Sequence, residues 1–265
     1  MAKKSRRKPI GSDRRMREHQ SGGEITSFRV PEGLTQFKPK AGIVRLHILP
    51  FKVGKGNRFA DEGEYHWERS FFVHRGIGPN QSSFVCPAKE KNKPCPICED
   101  IRRMNKDPNA DQDTVKSLLP KERQLFVVIN EAEKDEGFRI YESSHHLFGK
   151  VLDKLLEVAD EDETTFSDPQ QGRVLKIMYE DVSKGGMKWV EATSIAFKTR
   201  DPLDEGVEDE TPCLDDLLIV LPYDKLRSIY LQSEEDGSVD DENDKSKKGK
   251  NKSKIKSAPV DDDDD

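Results

Sequence analysis

The sequence predicts a mainly β domain with a few helices, flanked by two charged segments that lie outside its core. Three observations lead there: five or six short strand-like runs, a Gly-Gly turn between the two longest of them, and sharp shifts of charge at both ends.

The ends set the boundaries. Residues 1–17 carry eight Lys/Arg against one Asp, and nothing up to about Gly23 shows apolar periodicity, so a basic disordered arm is expected over 1–23. Residues 233–265 carry twelve Asp/Glu against seven Lys and finish in five consecutive Asp, which predicts an acidic disordered tail. The foldable core is then 24–232. Charged residues make up 36% of the chain against 33% hydrophobic, and mean hydropathy is −0.85, too polar for a chain packed throughout. No apolar run is long enough to span a bilayer or serve as a signal peptide, so a soluble, cytoplasmic protein without a membrane partner is expected.

Within the core, Ile43 to Leu49 reads as a strand stopped by Pro50, and Arg69 to His74 as a second. A Gly/Lys-rich loop, Lys52 to Gly63, separates them. Pro96 to Lys106 has helical spacing with Pro at its start. Leu125–Ile129 and Phe138–Tyr141 follow as strands. Ser143 or Ser144 can then cap a helix whose apolar face is Leu147, Phe148, Val151, Leu152, Leu155 and Val158. Arg173–Val182 and Met187–Phe197 flank Gly185-Gly186, a turn that tolerates positive φ at both centres. A last helix is expected over Tyr223–Leu231. A small Greek-key barrel of the OB type with a zinc-binding insertion accommodates this order of elements.

The chemistry concentrates in thirteen residues. Cys95-Pro96-Ile97-Cys98 has the two-residue gap that lets one turn put two thiolates on a tetrahedral ion, and Cys86 supplies a third. His74 is the preferred fourth ligand, with His66 as its rival. Four protein ligands fill the coordination sphere, so one Zn2+ would act structurally, clamping a loop that buries little apolar surface. The plain alternative is three unrelated buried thiols. An enzymatic alternative also exists, because His66-Trp67-Glu68 and Pro94-Cys95-Pro96-Ile97-Cys98 match the H-x-E…P-C-x-x-C pattern of zinc nucleobase deaminases, although Cys86 then has no role. The expectation is no enzymatic activity.

Around this loop, cations and aromatics interleave: Lys52, Lys55, Arg58, Tyr65, Trp67, Arg69, Phe72 and Arg75, with Lys89, Lys91 and Lys93 inside it. Single strands are bound by such mixtures, cations following phosphates and rings stacking on bases. Lys188 and Trp189, just past the Gly-Gly turn, form a second candidate platform. Alternation predicts Phe71 and Val73 on one face and Phe72 and His74 on the other. Core packing competes with stacking for Tyr65 and Trp67, and a solvated face competes for each lysine.

These residues, in this order, resemble the single-stranded-DNA-binding (helix-destabilising) proteins of tailed bacteriophages. The similarity covers about residues 40–197, with the His74…Cys86…Cys95-Pro96-Ile97-Cys98 motif as its specific part. It implies an OB-type core, coating of single-stranded DNA in replication, recombination and repair, docking of replication and recombination proteins on the acidic tail, and self-association through the basic arm. It also supports His74 as the fourth ligand and the strand from Met187 to Trp189 as part of the DNA cleft. Where the family tends to place an aromatic before Leu125, this chain has Lys121, Glu122 and Arg123. A zinc-stabilised RNA-binding regulator is the alternative of the same general class.

Overall fold

The computed structural model describes residues 27–235. The basic arm expected over 1–23, and all but the first three residues of the expected acidic tail, lie outside the described residues. The fold between them is mainly β, with a curled mixed sheet and several helices.

Ten strands occur among the described residues. They are β1 (Thr35–Phe37), β2 (Gly42–Leu49), β3 (Phe51–Lys52), β4 (Tyr65–His66), β5 (Arg69–Ile77), β6 (Ser82–Val85), β7 (Lys121–Asn130), β8 (Arg139–Ser144), β9 (Val174–Lys184) and β10 (Met187–Lys198). The helices are α1 (Pro87–Lys91), α2 (Pro96–Met104), α3 (Gln112–Leu118), α4 (Lys150–Leu156), α5 (Glu161–Thr164) and α6 (Tyr223–Glu235).

The order β1-β8-β7-β2-β9-β10 makes the main path of the sheet, and only β1 with β8 is parallel. Strand β7 organises it. One edge pairs with β8, while the other pairs with β5 over Lys121–Leu125 and with β2 over Val127–Asn130. The chain therefore leaves the sheet at Pro50 and rejoins the same edge of β7 at Arg69, so the Lys52 to Gly63 loop is an excursion from one edge.

Alternation along β7 sends Leu125 and Val127 into one apolar cluster, with Leu49, Phe71 and Val73. It sends Phe126 and Val128 into another, with Phe148, Phe166, Ile177 and Tyr179. Both faces of the sheet are thus covered, which explains the nearly continuous apolar run of this strand. A third cluster, Ile77, Phe84, Ile97, Ile101, Val115, Leu226 and Tyr230, surrounds the cysteines.

The expected hairpin forms, with Lys184 opposite Met187 and Gly185 and Gly186 at φ of 59° and 81°. These positive values suit a type I′ turn. The expected helix from Ser143/Ser144 to Val158 departs from its pattern. It opens as a wide π turn over His145–Gly149 and is α-helical only over Lys150–Leu156; Val158 lies beyond it, 80% exposed. Gly149 presses against Gln124 so closely that an added Cβ would lie 2.3 Å from the amide oxygen. Packing against the sheet dominates the geometry of this turn, and the 3.6-residue period does not register that.

Candidate metal centre

Two Cys-Pro steps build the site. Cys86 caps α1 and Cys95 caps α2, each in extended conformation with a proline as the first helical residue. A residue before proline is driven out of the α region, and proline's fixed φ starts the helix, so each step places a thiol at a helix start. Cys98 lies in the first turn of α2, where the N-terminal end of the helix dipole favours a thiolate. The ladder from β5 to β6 continues to Cys86, whose N–H donates to the Phe72 carbonyl at 2.8 Å. That pairing brings Cys86 beside His74.

The four ligand atoms of His74, Cys86, Cys95 and Cys98 all lie within 4.8 Å of one another. His74 Nε2 is 3.4 Å from Cys95 Sγ and 3.5 Å from Cys98 Sγ, and the Cys86 and Cys98 sulfurs are 3.5 Å apart. A tetrahedral ion with bonds of about 2.0 Å to nitrogen and about 2.3 Å to sulfur separates its ligand atoms by about 3.5 to 3.8 Å, so the set has the dimensions to hold one metal ion. The sulfurs are too far apart for a disulfide. His74 Nδ1–H donates to the Leu118 carbonyl at 2.8 Å, which turns Nε2 toward the sulfurs.

The electrostatics match a ligand set. Hydrogen bonds from Cys95 and Cys98 pull the Cys86 thiol far below its ordinary range, and contacts with Cys86 and Cys95 push Cys98 up. For His74, burial resists protonation, but contacts with Cys86, Cys95 and the Leu118 carbonyl outweigh it and raise its pKa to about 9. Sulfurs this close compete for a single negative charge. A divalent cation among them would favour thiolate at every one.

His66 is not in the cluster; its ring lies 5.4 Å from those of Phe59 and Trp67. Glu68 is also elsewhere, buried, with Oε1 accepting from Ser70 Oγ and Gln124 Nε2 at 2.8 Å each. The two therefore do not form the deaminase arrangement with Cys95 and Cys98.

Among the other expected site residues, Lys52, Lys55, Arg58, Tyr65, Arg75, Lys89, Lys91, Lys93 and Lys188 are exposed. Arg69 is a correction. It is 1% exposed, its Nε 2.6 Å from Asp215 Oδ1 and its Nη2 3.0 Å from Glu90 Oε2, so its charge is buried between two carboxylates and not displayed to solvent. This buried trio ties β5, α1 and the turn at Leu214–Leu217 together. Trp67 is half-buried, stacked on Phe126 and edge-on to Phe166, and packs against the second apolar cluster. Tyr65 is exposed, and its hydroxyl donates to Asp209. Phe71 and Val73 face the first cluster while Phe72 packs toward the third, as alternation requires.

Two basic segments meet at Phe72. Arg58 lies 4.6 Å and Lys89 5.5 Å from the centre of its ring, and Arg58 also bonds Glu90 at 2.9 Å. Lys188 and Trp189 are not brought to this place by the strand register. They occupy the half of the hairpin that projects past Gly42, the start of β2, whereas the loop cations follow its end. Trp189 is half-buried, its Nε1–H donating to Glu191 at 3.0 Å.

Sequence reasoning missed Glu90, Asp215 and the Leu118 carbonyl. The first two are 125 positions apart, and a backbone carbonyl leaves no mark in residue type. Among the described residues no helix is long and apolar enough to cross a membrane. No protein-family model matches this chain, and no curated protein matches it either, so the cluster's own geometry defines the site as a candidate metal centre of four protein ligands.

Proposed function

We propose that the chain binds single-stranded DNA without reading its sequence, on a basic surface stiffened by one structural zinc ion, and performs no bond chemistry itself. The observation that carries this reading is the meeting of the Lys52–Arg58 and Lys89–Lys93 segments over Phe72. A Cβ placed on Gly56 would lie 3.5 Å from Lys91 Nζ, so the two loops also approach each other there. Unpaired strands suit such a surface, since cations track the phosphates while rings stay within reach of bases.

Three sulfurs and one imidazole make a soft donor set that favours zinc, and four protein ligands leave no position for a catalytic water. In this reading zinc holds α1 and α2, and through α1 the lysines, against β5. An OB-type Greek-key course for the sheet, a role in phage replication, recombination and repair, and a cytoplasmic location belong to the same proposal. So do docking of replication proteins on the acidic tail, self-association through the basic arm, and contacts from Arg75, Lys188 and Trp189.

The test is titration of single-stranded and duplex DNA across salt concentrations. Each lysine that neutralises a phosphate contributes about 0.7 to the log-log salt slope for single strands. Changing Lys89, Lys91 and Lys93 together to Ala is expected to flatten that slope by about 2. Equal affinity for duplex, or an unchanged slope in the triple variant, would defeat the reading.

A further inference from the structure

On the same face of β5 as Phe72, toward β7, lies a cleft of about 300 Å³ with electrostatics opposite to those of the neighbouring basic surface. Its lining includes Glu68, Glu122 and Asp153 together with the rings of His66 and Trp67. Glu68 is 7% exposed, and its carboxylate is held only by the neutral donors Ser70 and Gln124. Burial holds it above the usual carboxylate range, with Asp153 and Glu122 pushing the same way against those hydrogen bonds. Glu122 receives the Ser70 hydroxyl at 3.2 Å, and Asp153 has the His145 imidazole at 3.6 Å. Among the described residues, no lysine or arginine pairs with any of the three.

One further group is left wanting a donor. Gln124 is 2% exposed and lines the same cleft; its Nε2 is used on Glu68, and its Oε1 has no hydrogen-bond partner among the described residues. A buried acceptor without a donor is costly, and so is a buried carboxylate among like charges without a counter-ion. Both costs are relieved by the same kind of ligand.

We propose that this cleft is a binding site for a donor-rich organic cation, a guanidinium group in the first place. Guanidinium has five N–H donors and no acceptor, and its flat face stacks on aromatic rings. The Phe59, His66 and Trp67 rings run in a row at 5.4 Å spacing along one wall, and the carboxylates and Gln124 supply the acceptors. A compact divalent ion fits less well. Among the described residues, only His74, Cys86, Cys95 and Cys98 converge closely enough to ligate one. Phosphate is repelled by the three carboxylates. The proposal stands apart from DNA binding, and its test uses none.

The chain has two tryptophans, so in a Trp189→Phe background the emission of Trp67 reports on the cleft alone. Titrated with argininamide, the full-length protein should give a saturable change in that emission. Urea, which has the same planar shape without the charge, should give none at equal concentration. Glu68→Gln should weaken argininamide binding by roughly tenfold or more. Should that variant fail to fold, Asp153→Asn combined with Glu122→Gln makes the same test, since the Asp153 side chain is half exposed. Comparing argininamide with a capped tripeptide bearing a central arginine separates the sources: tighter binding of the peptide assigns the site to a protein side chain, and equal binding assigns it to a free cation. No saturation, the same response to urea, or indifference to the carboxylate substitutions would overturn the proposal.

Discussion

The cluster around the cysteines and the aromatic cluster behind β7 are both largely buried, yet the proposed reading has different forces holding them. Behind β7, the rings of Phe126, Tyr141 and Phe148 pack against one another in a cluster shared with Phe166, Ile177 and Tyr179, and burial of a large apolar side chain contributes about 1.5 to 3 kcal/mol. Around the cysteines the apolar residues are fewer, and β5, β6 and α6 share them with three short helices, two of them begun at a Cys-Pro step. Such helices are too short to be stable alone. In the proposed reading one region is stabilised by hydrocarbon and the other by a metal ion held in its four-residue cluster, and their responses to perturbation should separate.

The largest separation should follow metal removal. Coordination in isolated zinc peptides contributes on the order of 10 kcal/mol, so chelation or Cys95→Ser should abolish amide protection in α1, α2 and α3 while β2, β7 and β9 keep theirs. Helix α6 should loosen with them, because Leu226 and Tyr230 pack in the same cluster. Hydrogen exchange reads this directly. Uniform loss over both regions would erase the distinction.

The converse substitution is Phe148→Ala. It should cost about 3 to 5 kcal/mol in urea unfolding, with one metal ion still bound per folded chain. Loss of metal in the folded variant would mean that the two clusters are not separable.

The sheet side should also show a pH dependence of its own, separate from the acid lability that proton competition for the ligands gives a metal site. His47 is 2% exposed on β2, and burial, with Arg200 and Lys134 adding to it against Glu131, lowers its pKa to about 4. Between about 4 and the unfolded value near 6.5 the unfolded chain binds the extra proton, so stability falls as pH drops through that window. The full loss is about 3 kcal/mol and is complete below pH 4. His47→Leu should remove this contribution, flattening the slope between about pH 4 and 6.5 in denaturation series on wild type and variant compared at equal metal content.

The smallest effect tests how His74 is aimed. Asp111 caps α3, accepting from the Asp113 and Thr114 amides, and α3 ends at Leu118, whose carbonyl holds the imidazole. Asp111→Ala costs about 1 kcal/mol and should weaken metal affinity by about fivefold. An unchanged affinity would mean that the histidine is oriented by its strand alone.

The same contrast explains what could be read from the sequence. The four-residue cluster was legible because a metal site demands particular residue types at short spacing, and the hairpin because Gly185-Gly186 is one of few pairs that suit its turn. The longer strands were legible as apolar runs. Strands β3 and β4, two residues each, and α1, five residues, carry no period to detect. Arg69 looked like a surface cation because its partners, Glu90 and Asp215, are distant in sequence and meet it only in the folded chain. For Trp67 the sequence left stacking and core packing open, and only the fold reveals Phe126 beneath it.

The most direct measurement is single-stranded DNA affinity and salt slope in one preparation, before and after its metal is quantified and removed. A structural zinc that holds a basic surface predicts one zinc per chain, with removal weakening single-strand binding and flattening the slope. A metal-free preparation that binds single strands with unchanged affinity and slope would contradict it.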